Sequence, residues 1–256
     1  LVDHPAKIPA ESGEQPKPAP RAALQTTKNA PELAPTDPQQ DTVVDGLLQL
    51  MGQAKKDLLI VSPYFVPGPD MKQAFAAARA RGVRVRVLTN SLASNDAPIA
   101  HAGYARHRPE LLATGLELYE MRSELSGLRS VFQGTGSSGV TGSSGDSKAM
   151  LHSKLLILDG RLLVIGSMNL DLRSQLQNTE IALLIRSRSL SARATEQIEA
   201  ALEDAAWRVE QDSEGRLVWR APKDSGLKDA TAEPDTSAPL RWLVRILGSF
   251  APDHLL

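Results

Sequence analysis

The sequence has no cysteine, few aromatic residues and almost no excess of charge of either sign. Without cysteine there are no disulfides, no thiolate nucleophile and no thiolate metal ligand. A net charge of −1 gives no overall attraction to polyanions, so nucleic acid is not an expected partner. No apolar run reaches the roughly 18 residues that indicate a membrane-spanning helix. The first residues contain neither an initiator methionine nor a basic-then-apolar leader, and we interpret the chain as a piece of a longer protein.

Proline is concentrated near the amino terminus, where residues 1–40 hold eight of the 17 prolines and show no clear hydrophobic periodicity. Such a segment buries too little apolar surface to offset its ordering entropy. It therefore predicts an extended linker, or a strap on a neighbouring domain. A second low-complexity stretch, GTGSSGVTGSSGDS, lies within residues 122–148 and predicts either a disordered loop or a mobile flap.

Between and after these stretches the hydrophobic pattern alternates between helical and strand periods. This alternation predicts an α/β fold over residues 41–220, with a mainly parallel or mixed sheet flanked by helices. Ligands of such sheets bind outside the carboxyl ends of the strands. The predicted helices cover about 43–54, 70–81, 98–113 and 191–209, and the predicted strands cover 58–61, 83–90, 116–119, 180–185 and 217–219.

The most informative stretch begins at His152 and continues to an Asn-Thr-Glu sequence. Two apolar runs are separated by Asp-Gly at 159–160, a dipeptide typical of β-hairpins. His152 and Lys154 lie two residues apart, so on a strand both side chains point to one face. Ser167 and Asn169 have the same spacing after the second run. The imidazole, ammonium, hydroxyl and carboxamide can attack or protonate a phosphoryl group and hold its anionic oxygens.

The complete string, HxK(x)4D(x)6GSxN, resembles the signature of the phospholipase D superfamily, and every defining position is present. The resemblance implies a phospholipase D-like half, because that family builds its site from two copies of the motif. One histidine forms a covalent phosphohistidine and the other protonates the leaving alcohol. This chain contains one copy. The second histidine is therefore expected from a missing half or from a second copy of the chain.

The resemblance also implies roles for the polar residues of the motif. His152 acts as general acid and base if the chain is the second half of a two-motif protein. In a symmetric dimer either copy of His152 could be the nucleophile. Lys154 is expected to hold one phosphate oxygen, Asn169 to donate to another and Ser167 to support that contact.

Two carboxylates complete the predicted catalytic set. Asp159 occupies the same motif, although an aspartate followed by glycine on a turn is equally explained by a structural role. Glu180 is expected from the resemblance to pair with the histidine and fix its tautomer. No metal or cofactor is expected, since the five histidines are scattered without a ligand cluster.

Three more segments, SPYFVPG, VLTNSLASND and HAGYARHR, resemble the second half of bacterial two-motif cardiolipin synthases, and the similarity covers about residues 42–256. Tyr64, Asn90 and His101 lie in these segments and are candidates to line the substrate site. The resemblance implies transfer of a phosphatidyl group, through a phosphohistidine, to phosphatidylglycerol. The donor is phosphatidylglycerol or phosphatidylethanolamine. It further implies a peripheral protein of the bacterial inner membrane.

The carboxyl-terminal residues 221–256 are predicted to form a linker followed by an amphipathic tail. In LRWLVRILGSF, from Leu240 to Phe250, the two arginines share a narrow helical face and apolar residues cover the rest. Such a helix is typical of an anchor in the surface of an anionic membrane. The alternative is a helix docked on the protein's own core or on a missing domain.

Two other functions fit the same motif. A dimeric phosphodiesterase would use it to hydrolyse phospholipid or nucleic acid, although a nuclease predicts a basic groove and this chain is close to neutral. A single motif is also expected in an inactive half-site fragment or an interaction domain. An upstream second HxK(x)4D motif in the parent chain would make this polypeptide half of an enzyme.

Overall fold

The computed structural model describes residues 42–123, 150–176 and 180–250. The predicted amino-terminal strap and the Gly/Ser-rich stretch therefore lie outside the described residues. Within the described ranges, no helix is long and apolar enough to cross a bilayer.

The helices are α1 (Val43–Gln53), α2 (Pro69–Ala80), α3 (Pro98–Ala113), α4 (Leu172–Leu176), α5 (Arg188–Asp204) and α6 (Ala238–Phe250). The strands are β1 (Asp57–Val61), β2 (Phe65–Val66), β3 (Arg84–Asn90), β4 (Glu117–Met121), β5 (Leu155–Leu158), β6 (Leu162–Gly166), β7 (Leu170–Asp171), β8 (Ala182–Arg186), β9 (Ala206–Gln211) and β10 (Leu217–Arg220).

Eight of these strands form one mixed sheet in the order β10-β9-β4-β3-β1-β5-β6-β8. The central strands β4, β3 and β1 are parallel, whereas β5, β6 and β8 on one side, and β9 and β10 on the other, pair antiparallel to their neighbours. Strands β2 and β7 form a separate parallel pair. The predicted α/β fold with a mixed sheet flanked by helices is confirmed.

The central strand β1 is apolar on both faces because helices cover both sides of the sheet. Leu58 and Ile60 pack in the cluster that includes residues of α1, α2 and α3. Leu59 packs on the opposite side with Ile198 and Leu202 of α5. All three β1 side chains are fully buried, as expected for a strand in the middle of a layered sheet.

Two predicted elements differ from the observed ones. The helix predicted to continue to residue 209 ends at Asp204, and the chain then forms β9 against β4. Trp207 and Val209 are buried while Arg208 is exposed, which is the period-two pattern of a strand. The strand predicted to be buried at 180–185 is β8, the last strand of the sheet, and Leu183 on it is 61% exposed.

The residues after β10 pack on the same body. Ala230 pairs with Trp219 through two backbone hydrogen bonds of 2.8 and 2.9 Å. On α6, Val244 is buried against Leu92 and Ala102, so one face of this helix docks on the protein's own core. Leu92 follows the carboxyl end of β3, and α6 therefore lies near that edge of the sheet.

Candidate active site

The strand register brings the predicted motif residues to one edge of the sheet. Val61 at the end of β1 pairs with Leu155, Leu155 pairs with Ile165, and Gly166 pairs with Ala182. The start of β5, the end of β6 and the start of β8 thus lie side by side at the carboxyl end of β1. The polar residues placed at this catalytic edge are His152, Lys154, Ser167, Asn169 and Glu180.

Asp159 lies at the other end of β5, on the hairpin turn. The turn has the predicted form, since Asp159 and Gly160 have φ angles of 49° and 61° and the Arg161 N–H donates to the Leu158 carbonyl at 3.0 Å. The Asp159 carboxylate accepts the backbone N–H groups of residues 55–57, at 2.8 to 3.2 Å. These contacts hold the entry to β1, so the prediction that Asp159 belongs to the catalytic set is corrected.

Ser167 and Glu180 form a connected pair at the catalytic edge. The Ser167 hydroxyl donates to a Glu180 carboxylate oxygen and accepts the Ile181 N–H at 3.1 Å. Gly166 permits this approach, since a Cβ there would lie 2.6 Å from the Ile181 carbonyl oxygen. The His152 imidazole is exposed and makes no hydrogen bond to any part of the chain that the structure describes. Among the described residues, Glu180 therefore bonds to Ser167 and the predicted pairing with His152 is not seen.

Lys154 and Asn169 present polar groups that are suited to an anion. The Lys154 ammonium is half-buried and donates to the His152 carbonyl at 3.1 Å. Burial lowers the pKa of Lys154, and the carboxylates of Glu180 and Asp171 partly oppose that change. The Asn169 Oδ1 atom is buried without a partner in the described part of the chain. The carboxamide also carries an NH₂ group, which is the kind of donor that can bind a phosphate oxygen.

Asn90 positions the backbone beside His152. Its amide donates to the carbonyls of Pro63 and Leu151 at 3.2 and 3.1 Å, and its oxygen accepts the Leu151 N–H at 2.9 Å. The Ser94 hydroxyl also donates to the Asn90 oxygen, at 3.4 Å. Because Asn90 is buried and its amide is occupied by protein groups, the prediction that it lines the substrate site is corrected. It fixes the residue that precedes His152.

His101, on α3, is buried rather than exposed at the catalytic edge. Its side chain is 0% exposed, and its Nε2 accepts from Arg108 at 2.6 Å and lies 3.2 Å from a Glu233 oxygen. The structure therefore places His101 in a buried polar cluster and does not bring it to the catalytic edge, as the prediction that it lines the site required. The sequence contained no sign of this enclosure, because Glu233 lies 132 residues away.

Tyr64 reaches the catalytic edge together with a carboxylate that the sequence analysis missed. Its hydroxyl donates to Asp96 at 2.5 Å, and burial together with this bond raises the pKa of Tyr64 to about 12. The missed residue is Asp171, whose charge also acts on Tyr64 and on Lys154. Burial raises the pKa of Asp171, although its bond to the Ser174 N–H opposes this. The sequence contained a sign of this role, since Asp171 follows Asn169 at the same two-residue spacing that separates Ser167 from Asn169.

The site can therefore perform acid–base or nucleophilic chemistry on a phosphoryl group. It has an accessible imidazole, an ammonium and a carboxamide whose oxygen has no partner among the described residues. Among the described residues there is no group of three or more His, Cys, Asp or Glu side chains that could hold a metal ion.

Comparison with known proteins agrees with this geometry. Residues 47–202 match the family model described as "Cardiolipin synthase, PLD-like domain", where PLD stands for phospholipase D. The chain is 38% identical over 214 residues to cardiolipin synthase C of Escherichia coli, which covers 82% of this chain and 43% of that protein. It is 30% identical over 146 residues to cardiolipin synthase A of Pectobacterium carotovorum, covering 57% of this chain and 24% of that protein.

A solved structure shows the same fold. The crystal structure of phosphatidylserine synthase from Haemophilus influenzae matches with a TM-score of 0.56 and 16% identity, over 85% of this chain and 44% of that one. The chain spans less than half the length of each of these relatives. The family match covers more than half of the present sequence. The chain therefore belongs to the phospholipase D-like family that includes the bacterial cardiolipin synthases.

Proposed function

We propose that this chain supplies one half of the active site of a phosphatidyltransferase of the cardiolipin synthase type. The observation that carries the proposal is the gathering of His152, Lys154, Ser167 and Asn169 at one edge of the sheet. The 38% identity to a cardiolipin synthase supports a phospholipid substrate. The chain spans 43% of that relative, which supports a half-site.

The proposed reaction has two displacements at phosphorus. In the first, an imidazole nitrogen of the partner motif attacks a phospholipid phosphorus, and His152 protonates the oxygen of the departing alcohol. In the second, His152 removes the proton from a hydroxyl of phosphatidylglycerol. That oxygen attacks the phosphohistidine, forms the new P–O bond and releases the partner imidazole. Lys154 and Asn169 hold the non-bridging oxygens throughout.

A surface for the second motif is present beside the catalytic edge. Ile165 on β6 pairs in register with Leu183 on β8, and with Ile181 these side chains are 43%, 61% and 59% exposed. We call these three residues the apolar edge patch. Contiguous exposed apolar residues favour protein contact, and β8 also has an unpaired outer edge within the described sheet. We assign this patch to the polypeptide that carries the second motif.

Reconstitution tests the proposal. With phosphatidylglycerol vesicles, we expect transfer of phosphatidyl groups only when the chain is combined with the upstream half, because each displacement needs two imidazoles. Leu183→Lys should weaken this complex and raise the partner concentration needed for half-maximal activity by about tenfold or more. The matched control is Leu227→Lys, which changes an exposed leucine outside the apolar edge patch. Turnover by a strictly monomeric preparation of the chain alone would refute the half-site.

We further propose that the outer face of α6 binds the membrane surface. Trp242 and Leu243 are 67% and 45% exposed, while Val244 docks inward. Arg241 donates to the Thr236 carbonyl at 2.5 Å, so part of its charge serves to hold the helix start. The 13-residue helix is short compared with the roughly 20 residues that span a bilayer, and an in-plane position suits it.

Point variants on α6 test the membrane contact. Trp242→Glu with Leu243→Glu should reduce co-sedimentation with phosphatidylglycerol vesicles by about tenfold or more, because it removes apolar insertion and adds repulsion. Binding by the unchanged chain should also weaken as salt rises. Deleting α6 is a poorer test, since it uncovers Leu92 and Ala102. Leu227→Glu is the control. If the double variant sediments with the vesicles as strongly as this control, the outer face of α6 is not the membrane contact.

A further inference from the structure

A cavity of about 550 Å³ lies at the opposite end of the sheet from the catalytic edge. It opens between the end of α1, the β5–β6 hairpin, the end of β8 and the start of α5. The register places it there, since Leu162 pairs with both Leu158 and Arg186, next to the hairpin turn. The volume is within the range of roughly 300–1,000 Å³ that is typical of small-molecule sites. Its lining includes Leu158, Leu162, Leu184, Arg161, Arg186 and Arg188.

The charged part of this lining is basic. All three arginines are exposed, and Arg161 lies 3.4 Å from an oxygen of Asp159. Arg186 and Arg188 form no ion pair with any residue that the structure describes. Like charges gathered at one place repel one another, and an anion at the cavity mouth would relieve that repulsion. Arginine is also the side chain best suited to phosphate and carboxylate oxygens.

The apolar part of the lining indicates a ligand with a hydrocarbon chain. Leu158 is buried, Leu162 is half-buried and Leu184 is 39% exposed, so apolar surface continues from the core to the cavity mouth. Burial of a methylene group in such a setting contributes about 0.8 kcal/mol, or roughly fourfold in affinity. Leucines beside unpaired arginines match a molecule with an apolar tail and an anionic head.

We propose that this cavity binds a single anionic amphiphile, with a phosphate or carboxylate head on Arg186 and Arg188 and a hydrocarbon chain over the leucines. The site is separate from His152, which lies beyond the other end of β5. Binding here does not depend on the proposed transfer reaction. The head groups of an acidic lipid and of a fatty acid share the required chemistry.

Calorimetric titration of the full chain tests the proposal. We expect saturable binding of dodecyl phosphate below its critical micelle concentration, and little binding of inorganic phosphate or neutral dodecyl maltoside at the same concentrations. Affinity should rise from octyl to dodecyl phosphate by up to about fourfold per methylene. Laurate in place of dodecyl phosphate distinguishes a carboxylate from a phosphate head. Equal binding of dodecyl maltoside or inorganic phosphate would overturn the proposal.

Charge-reversal variants locate the ligand. Arg186→Glu with Arg188→Glu should raise the Kd for dodecyl phosphate by about tenfold or more. Leu184→Ser should flatten the dependence on chain length without removing the dependence on head-group charge. The matched control, Arg193→Glu with Lys228→Glu, reverses two exposed charges that do not line the cavity and should leave the Kd within about twofold. An unchanged Kd in the first variant, with thermal melting showing that it is folded, would refute the assignment.

Discussion

Replacing His152 by alanine is expected to reduce phosphatidyl transfer by about 10²–10⁴-fold in the full-length parent or the reconstituted pair. The imidazole is the accessible acid–base group that this chain places at the catalytic edge. Because the side chain is exposed and unbonded within the described residues, its removal should leave the stability nearly unchanged. Initial rates with radiolabelled phosphatidylglycerol, together with urea unfolding of the same preparations, would measure both effects.

A second substitution separates the catalytic edge from the hairpin turn. Asp159→Asn keeps a side chain that tolerates positive φ and an oxygen that accepts N–H groups, while it removes the charge. We expect transfer to remain within a fewfold of the unchanged protein, with a modest loss of stability. Transfer within tenfold of normal in His152→Ala would contradict our assignment. A loss in Asp159→Asn as large as in His152→Ala would contradict the structural role of Asp159.

Local sequence signals predicted the elements whose conformation depends on neighbouring residues. The Asp159-Gly160 turn formed as expected because both residues tolerate positive φ. Helix α3 has the predicted bounds of Pro98 and Ala113, the second of which is followed closely by the positive-φ Gly115. At residues 206–211 the hydrophobic pattern fitted both a helix and a strand. These residues form strand β9 because they pair with β4. Propensity alone carries no information about that pairing.

The errors at the site concern partners that are distant in sequence. Asp159 binds backbone N–H groups more than 100 residues earlier in the chain. His101 is enclosed by Glu233, from a segment that was interpreted as a linker. Asn90 contacts Leu151, 61 residues later. The sequence identified each of these residues as a polar candidate for the site. Only the three-dimensional structure shows that their polar atoms contact distant parts of the protein instead.

Arg108 lies at the centre of a buried charge cluster that joins α3, β4 and the segment after β10. Its guanidinium lies 3.1 Å from Glu120 and 2.5 Å from Glu233, and its side chain is 2% exposed. The rings of Tyr104 and Trp219 lie 4.8 and 5.2 Å from it. We expect Arg108→Met to reduce the free energy of unfolding by about 3–5 kcal/mol, because two carboxylates would remain buried without their cation.

Glu233→Gln is the matched, smaller change to the same cluster. The glutamine oxygen can still accept from Arg108, so we expect a loss of about 1–3 kcal/mol at pH 7, measured by urea unfolding. A loss below about 1 kcal/mol for Arg108→Met would show that the cluster does not contribute in this way. Val244→Ala, which shortens a buried apolar side chain on α6, controls for general loosening of the carboxyl-terminal segment.

The pH dependence of these losses identifies the charge responsible. Burial alone would raise the pKa of Glu233, but the charge of Arg108 and the contacts with Arg108 and His101 together outweigh burial and lower the pKa from 4.5 to about 2. Because the folded pKa is below the unfolded one, Glu233 stabilises the fold above pH 4.5, and this contribution is lost as the pH falls toward 2. Burial raises the pKa of Glu120. Ionisation of Glu120 therefore lowers the stability of the fold, and this loss is relieved as the pH falls. The difference in stability between the unchanged protein and Glu233→Gln should therefore shrink from pH 7 to about pH 3. A difference that stays constant over this range would show that the ionised Glu233 carboxylate is not the source of the stabilisation.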